Sequence, residues 1–194
     1  MVKTAPKITI LIPSLENRKG YLSSLLFSLN EQIAHFGLSK RIKILKSVDN
    51  GEATIGAKRN ELLQSVTTEY CCFFDDDDLP SDEYLSVLFH GVKSEPDCLS
   101  LRGMLTIDGK ADGIFEHSIK YDKYQTKPKA EIKYERYPNH LNVIRTEIAK
   151  CFKFKEINHG EDTDWATQIH QSKFLKNEVY SDKLIYFYNY NSKK

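Results

Sequence analysis

Glu69–Phe74 (EYCCFF) runs directly into four consecutive aspartates, Asp75–Asp78, and this stretch decides the fold prediction. The apolar segment has the length and the aromatic content of a buried strand. Four adjacent carboxylates repel one another, which raises the pKa values of some of them and costs stability. A divalent cation removes that cost, and oxygen ligands alone favour Mg²⁺, Mn²⁺ or Ca²⁺ over zinc or copper. The pattern therefore favours a metal site over its alternative, a solvated acidic turn in which Asp78 or Ser81 caps the next helix.

The aspartate run also predicts which carboxylates act together. If the chain stays extended, Asp75 and Asp77 face one side of the strand while Asp76 and Asp78 face the other. Only one of these two pairs can then face a ligand.

Two further strand signals and two helix signals precede the aspartates. Lys7–Pro13 (KITILIP) and Arg41–Val48 (RIKILKSV) are apolar and β-branched, as expected of strands. A helix is predicted after each strand, first where apolar residues recur at spacings of three and four up to Gly37, then over Thr54–Val66. Strand, helix, strand, helix, strand is the pattern of a parallel α/β sheet with right-handed crossovers.

Polar residues follow each of the three strands. In a parallel α/β sheet, ligands bind beyond the carboxyl ends of the strands. Pro13-Ser14, Asp49-Asn50 and the aspartate run all fall at those ends. The sequence therefore predicts that three polar loops converge on one edge of the sheet.

The second half of the chain is less regular. Pro80 and Ser81 are predicted to start a helix, and Asp97–Ile107 to form a strand that breaks at Asp108-Gly109. The remaining predictions are loops with short strands over 110–139, a strand feeding a helix over 140–152, a helix after residue 160 and a closing strand over 183–190. No repeat or linker is visible, so residues 1–194 are interpreted as one domain.

Composition excludes several classes of protein. The chain has 28 basic and 27 acidic residues and a formal net charge of +1, without the clustered basic excess typical of nucleic-acid binders. No apolar run approaches the ~18 residues of a membrane span. The four cysteines form no C-x-x-C pair, so neither a zinc site nor a disulfide framework is predicted. Reduced thiols favour a cytoplasmic location, the host cytoplasm if the source is a virus.

The order of motifs P-S, D-N, G-A-K-R-N, F-D-D-D-D-L-P and G-E-D resembles the inverting family-2 glycosyltransferases. The likeness is to the small soluble single-domain type found in bacteria, phages and large DNA viruses. It implies the GT-A fold, a Rossmann-like and mostly parallel sheet flanked by helices, with an antiparallel C-terminal portion on the acceptor side. Residues 1–100 would form the nucleotide-sugar-binding half, and residues 101–194 the acceptor-binding half. The implied activity is that of a metal-dependent hexosyl- or deoxyhexosyltransferase.

The resemblance also implies a donor site for a nucleotide-diphosphate sugar, most commonly a UDP-sugar. Pro13 and Ser14 would line the base pocket, Asp49 would accept a hydrogen bond from the base, and Lys58 and Arg59 would lie beside the nucleotide. Asp75 would hold the ribose side, and Asp77 would coordinate Mn²⁺ or Mg²⁺. Because four aspartates leave the D-x-D register ambiguous by one residue, Asp76 remains a nucleotide candidate and Asp78 a metal candidate.

The segment His159–Trp165 (HGEDTDW) resembles the motif that supplies the family's catalytic base, which points to Asp162, with Glu161 beside it. An inverting transfer needs a carboxylate that removes the acceptor hydroxyl proton as that oxygen attacks the anomeric carbon. The alternative is that these carboxylates only stabilise the first turn of a helix. A glycan acceptor is expected to lie on the tyrosine-rich stretch 121–137, and His140 and His159 could supply an extra metal ligand or touch phosphate.

Other functions remain open at this stage. A sugar-nucleotide nucleotidyltransferase would want a glycine-rich basic loop after the first strand, and IPSLENRKG is a poor version of one. A non-catalytic domain could bind Ca²⁺ through the acidic run, although no EF-hand pattern is present. A glycoside hydrolase also uses two carboxylates but needs no nucleotide pocket. The Q-x-x-R-W motif of processive family-2 synthases is absent, which favours single sugar addition.

Overall fold

The computed structural model of the protein describes residues 7–192. Its strands are β1 (Ile8–Leu15), β2 (Ile42–Asp49), β3 (Tyr70–Phe73), β4 (Leu79–Pro80), β5 (Cys98–Leu99), β6 (Leu101–Ile107), β7 (Lys110–His117), β8 (Gln125–Thr126), β9 (Ile132–Arg136), β10 (Ile144–Arg145), β11 (Glu178–Val179) and β12 (Leu184–Tyr190). Its α-helices are α1 (Lys19–His35), α2 (Ile55–Gln64), α3 (Tyr84–Gly91), α4 (Thr146–Ala149) and α5 (Glu161–Ser172). None of the helices between residues 7 and 192 has the length and apolarity needed to cross a membrane.

The first sheet has the strand order β11-β5-β10-β3-β1-β2. Strands β2, β1 and β3 are parallel, as the alternating strand and helix signals predict. β10 runs antiparallel to both of its neighbours, and β11 is again parallel to β5. The sheet is therefore mixed but mostly parallel, and helices cover it.

The second sheet has the order β4-β12-β6-β7-β9-β8. Strands β6 and β7 form an antiparallel hairpin, and β12 lies between β6 and β4. The predicted break at Asp108-Gly109 is confirmed as the hairpin turn, where both residues have positive φ, 49° and 78°. Two adjacent positive φ values match the right-handed twist of the flanking strands.

Several element predictions were wrong in detail. The helix predicted from Pro80 begins at Tyr84, because Leu79–Pro80 pairs with β12 instead. The single strand predicted over Asp97–Ile107 is two strands in different sheets. The stretch predicted as loops with short strands contains the eight-residue β7. In each case long-range strand pairing overrides a local pattern that is itself weak.

The core lies on both faces of the first sheet. Ile8, Ile10 and Ile12 of β1 pack with α1, α3 and the second sheet, whereas Leu11 packs with α2 and α5. Alternation of side chains along a strand that is covered on both faces explains why β1 is apolar at nearly every position. The elements packed on its two faces hold the carboxyl ends of β1, β2 and β3 at one edge of the first sheet.

Candidate functional site

One cleft opens at the carboxyl ends of β1, β2 and β3, as predicted. It has a volume of about 720 Å³ and is lined by the end of β1, the loop after β2 and the aspartate run. We call it the aspartate cleft. Its lining includes Ser14, Arg18, Gly51–Ile55, Lys58 and Asp75–Asp77.

The aspartate run is a turn rather than a continuation of β3. The Asp78 N–H donates to the Asp75 carbonyl at 3.2 Å, so the extended geometry stops after Phe74. Exposure nevertheless alternates as predicted. The side chains of Asp75 and Asp77 are 25 % and 22 % exposed, whereas those of Asp76 and Asp78 are 3 % and 1 % exposed.

Asp76 is held by two neighbours at the end of β1. Its carboxylate accepts a hydrogen bond from the Ser14 hydroxyl and forms an ion pair with Arg18. Arg18 also lies 2.8 Å from Asp77 Oδ2, so one guanidinium bridges two neighbouring carboxylates. Burial raises the pKa of Asp76, while Ser14 and Arg18 oppose that rise. Sequence reasoning missed Arg18, for which the only signal is its place in the loop after β1.

Asp78 lies outside the aspartate cleft. One of its oxygens accepts a hydrogen bond from the Tyr186 hydroxyl at 2.7 Å, and the other accepts one from the Asn189 N–H at 2.8 Å. Burial, and then the charge of Asp75, raise the pKa of Asp78 well above its ordinary value. These contacts with β12 give Asp78 a structural role, and its assignment as a metal ligand, still only a prediction, is disfavoured by this placement.

Asp49 and Lys58 organise the loop after β2. Asp49 accepts hydrogen bonds from the N–H groups of Gly51 at 3.0 Å and Ala53 at 2.9 Å, and it forms an ion pair with Lys58. The hydrogen bond from Lys58 is the main reason that the pKa of Asp49 falls to about 2. Lys58 is buried and also donates to the Ser14 carbonyl at 2.8 Å. The two residues thus shape one wall of the aspartate cleft.

Arg59 occupies the centre of the site. Its Nη2 lies 3.0 Å from Asp75 Oδ1, its Nε lies 3.2 Å from Glu161 Oε1, and its guanidinium packs 5.0 Å from the Phe73 ring centroid. Burial would raise the pKa of Asp75, but the charge of Arg59 and the contact with His140 outweigh burial and hold that pKa well below its usual range. Arg59 therefore favours the ionised form of Asp75 and also pairs with Glu161.

The segment before α5 is bound to α2. The Asn60 side chain pairs with the backbone of Phe154 through two hydrogen bonds of 2.9 Å, and the Ile55 N–H donates to Asn158 Oδ1 at 3.0 Å. A Cβ on Gly56 would lie 1.8 Å from the Lys155 carbonyl oxygen, so only glycine allows this approach. Gly56 and Asn60, which sequence reasoning left without a role, therefore place α5 opposite Arg59.

A second cleft, of about 410 Å³, adjoins the first and shares six lining residues with it: Arg59, Asp75, Asn158, His159, Glu161 and Tyr188. We call it the tyrosine cleft. Its lining also includes Tyr124, Tyr134, Arg136, His140 and Asp162. Tyr124 and Tyr134 come from the tyrosine-rich stretch, whereas Tyr121 of the same stretch donates its hydroxyl hydrogen to Glu116 instead.

Asp162 and Glu161 are adjacent in sequence but differ in environment. Glu161 is 5 % exposed and paired with Arg59, whereas the Asp162 side chain is 33 % exposed at the wall of the tyrosine cleft. His140 lies between two carboxylates, with Nδ1 3.6 Å from Asp162 Oδ2 and Nε2 3.5 Å from Asp75 Oδ2. Of the two predicted catalytic carboxylates, Asp162 is the accessible one.

Across residues 7–192, no three histidine, cysteine or acidic side chains cluster closely enough to coordinate a metal ion. The accessible carboxylates, Asp75 and Asp77, could supply one or two oxygens. This is the mode in which Mg²⁺ is commonly bound, with substrate phosphates and water completing the coordination.

Comparisons with known proteins support the fold. No protein-family model and no curated protein sequence matches the chain. The solved structures that it resembles include S. aureus TarS 1–349, with a TM-score of 0.64 and 18 % identity over 94 % of this chain and 60 % of that one. The same TarS fragment was solved with UDP-GlcNAc, and that structure has a TM-score of 0.64 and 19 % identity over 94 % of this chain and 58 % of that one. It was also solved with UDP, with a TM-score of 0.64 and 18 % identity over 94 % of this chain and 60 % of that one. The chain thus spans about 60 % of the TarS fragment. At this identity the likeness confirms the expected GT-A-like α/β fold.

Proposed function

We propose that the chain transfers a hexose or deoxyhexose from a nucleotide-diphosphate sugar to a hydroxyl group of a glycan, with inversion, as the family-2 glycosyltransferases do. The observation that carries this proposal is the meeting of two clefts at Arg59 and Asp75, with the accessible Asp162 carboxylate on the wall of the second. A donor in the aspartate cleft would present its sugar to an acceptor in the tyrosine cleft. The TarS fragment of similar fold was solved with UDP-GlcNAc and with UDP, so a uridine nucleotide is the first donor to test.

The aspartate cleft suits a nucleoside diphosphate. The base would lie against Pro13, Ser14 and the loop 51–54, whose shape depends on Asp49. Because both Asp49 oxygens already accept backbone hydrogen bonds and Lys58 is paired with one of them, we assign Asp49 to holding this loop rather than to direct recognition of the base.

The diphosphate would lie near Arg18 and the exposed aspartates. Asp77, and Asp75 if its pairing with Arg59 loosens, would hold Mn²⁺ or Mg²⁺ together with phosphate oxygens. When bound, the cation neutralises charge on the leaving diphosphate. Arg18 pairs with Asp76 and Asp77 and would supply a positive charge beside the diphosphate. Its guanidinium suits bidentate contact with phosphate.

Asp162 would act as the base. Its carboxylate takes the proton of the acceptor hydroxyl, whose oxygen forms the new bond to the anomeric carbon while the bond from that carbon to the diphosphate oxygen breaks. Attack opposite the leaving group inverts the configuration. Asp162 lies in the first turn of α5, at the positive end of the helix dipole. His140 lies on the opposite side of the carboxylate and would orient it.

Calorimetric titration of UDP, with and without Mn²⁺, tests this proposal. We expect Mn²⁺-dependent binding in the wild type, loss of the Mn²⁺ dependence in Asp77→Ala, and wild-type behaviour in the control Asp82→Ala, which removes an exposed aspartate outside both clefts. If neither UDP nor GDP nor dTDP binds, the donor-site assignment is wrong. UDP binding of equal affinity with and without Mn²⁺ would contradict the role of the metal in the proposed mechanism.

A further inference from the structure

We infer that the tyrosine cleft takes a sugar that carries an anionic group, a carboxylate or a phosphate, and that Arg136 binds this group. The inference rests on the proposed function and specifies its substrate class. It starts from one cation in the wall of the cleft, Arg136, for which residues 7–192 supply no carboxylate partner.

Arg136 is fixed in place without being neutralised. Its Nη1 donates to the carbonyls of Gln125 at 2.8 Å and Glu135 at 2.9 Å. The guanidinium lies over two rings, 4.9 Å from the Tyr124 centroid and 5.5 Å from the Tyr134 centroid. Carbonyl oxygens and ring faces orient a guanidinium, but they carry no full negative charge. Consistently, burial lowers the pKa of Arg136.

Four other guanidinium groups among the described residues are paired with carboxylates. Arg18, Arg59, Arg102 and Arg145 each have at least one such partner within 4.0 Å. Among residues 7–192, no carboxylate stands within that distance of Arg136, and the neighbouring Glu135 side chain pairs with Lys127 and Gln125 instead. A half-buried cation without a counter-ion is costly unless a ligand supplies the charge.

The rest of the cleft fits a sugar. The rings of Tyr124, Tyr134 and Tyr188 line it and supply aromatic surface against which a pyranose can pack. The other guanidinium of the cleft is already engaged, because Arg59 pairs with Asp75 and Glu161. Asp162 would face the reacting hydroxyl, which leaves Arg136 for a second, negatively charged position on the same ligand. Bidentate binding of a carboxylate or phosphate is what a fixed guanidinium does best.

Two sources could supply this anion, the acceptor and the donor sugar, because the two clefts are continuous. Both present the same chemistry to Arg136, so the experiment has one arm for each. In the acceptor arm, NMR titrations compare glucose 6-phosphate and glucuronate with glucose, in saturating UDP and Mn²⁺ so that phosphate cannot enter the aspartate cleft. In the donor arm, calorimetry compares UDP-glucuronate with UDP-glucose.

The variants are Arg136→Met, which keeps the apolar stem, and Arg136→Lys, which keeps the charge. The control Lys123→Met removes an exposed positive charge from the same segment without touching the cleft. In at least one arm we expect the charged ligand to bind about tenfold more tightly than its neutral counterpart, as one charge-assisted contact allows. Arg136→Met should abolish that preference, Arg136→Lys should retain part of it, and Lys123→Met should leave it unchanged.

The arm that shows the preference identifies the source of the anion. Equal binding of charged and neutral ligands in both arms, or a preference that survives in Arg136→Met, overturns the inference. UDP binding by Arg136→Met is measured in parallel and is expected to equal that of the wild type. Failure of UDP to bind the wild-type protein would instead refute the proposed donor site, so the two failures are distinguishable.

Discussion

Arg59 Nε lies 3.2 Å from Glu161 Oε1, across 102 positions of the sequence. This contact joins α2 to the first turn of α5 and lies where the two clefts meet. Both side chains are almost fully buried, so the pair is a fixed part of the site rather than a surface contact. Arg59 also holds Asp75, and a single guanidinium thus sets the relative positions of the aspartate run and of Asp162.

The variant Arg59→Met is expected to destabilise the protein by about 3–5 kcal/mol, the usual cost of leaving a buried charge without its partner. Both Asp75 and Glu161 lose their main counter-ion in this variant. Urea unfolding at pH 7 measures the effect. The double variant Arg59→Met/Glu161→Gln should recover part of the loss, because one of the orphaned charges is gone. No recovery would mean that the cost comes from lost packing on Phe73.

Substitution of Asp162 by Asn is expected to lower kcat by about 10²–10⁴-fold, the usual contribution of a general base. UDP binding should stay unchanged, because Asp162 lines the tyrosine cleft and not the aspartate cleft. The matched control is Asp164→Asn, in the same helical turn, where the carboxylate pairs with Lys155. Sugar transfer and calorimetry on both variants separate the two effects. An equal loss of turnover in the control would argue for helix stabilisation instead of base catalysis.

Adding a methyl group at position 56 tests how α5 is positioned. Gly56→Ala places a Cβ 1.8 Å from the Lys155 carbonyl oxygen, so the segment before α5 must move. We expect a loss of about 1–3 kcal/mol in unfolding free energy, as for other overpacked sites, and a lower kcat with UDP binding retained. Gly20→Ala is the control, since a Cβ there meets nothing within 4 Å. Alanine at that position of α1 should be neutral or slightly stabilising.

Glu116 is expected to make stability depend on pH. Burial alone would raise the pKa of Glu116, but hydrogen bonds from Lys120, Tyr121, Tyr180 and Arg102 outweigh burial and lower it to about 2. Because the folded-state pKa is below the ordinary value of 4.5, its stabilisation is fully present above that pH and is lost as the pH falls towards 2.

The comparison of wild type with Glu116→Gln by thermal unfolding checks this expectation. The variant should have a lower melting temperature than the wild type at pH 7. This difference should shrink at pH 3, where the stabilisation by the wild-type carboxylate is partly lost. A difference in melting temperature that is the same at both pH values would mean that the shape of the Glu116 side chain, and not its charge, causes the effect.

The sequence by itself determined the frame of the site. The apolar runs of β1 to β3, the helix spacings between them and the position of the aspartates are local patterns, each set by neighbours a few residues away. They were sufficient to predict a parallel sheet with three polar loops at one edge, and the structure confirms both. The exposure of the four aspartates alternates as expected, but the extended geometry from which this was predicted is absent, because the run is a turn.

Tertiary structure alone decided what each polar side chain does. Asp78 is bound to Tyr186, 108 positions away, and Asp76 to Ser14, 62 positions away, so their burial depends on how β12 and β1 pack against the turn. In the same way, α5 turns Glu161 towards Arg59 and leaves Asp162 at the cleft. Neighbouring carboxylates look equivalent in a sequence. Their hydration and their hydrogen-bond or ion-pair partners distinguish them, and residues distant along the chain determine these.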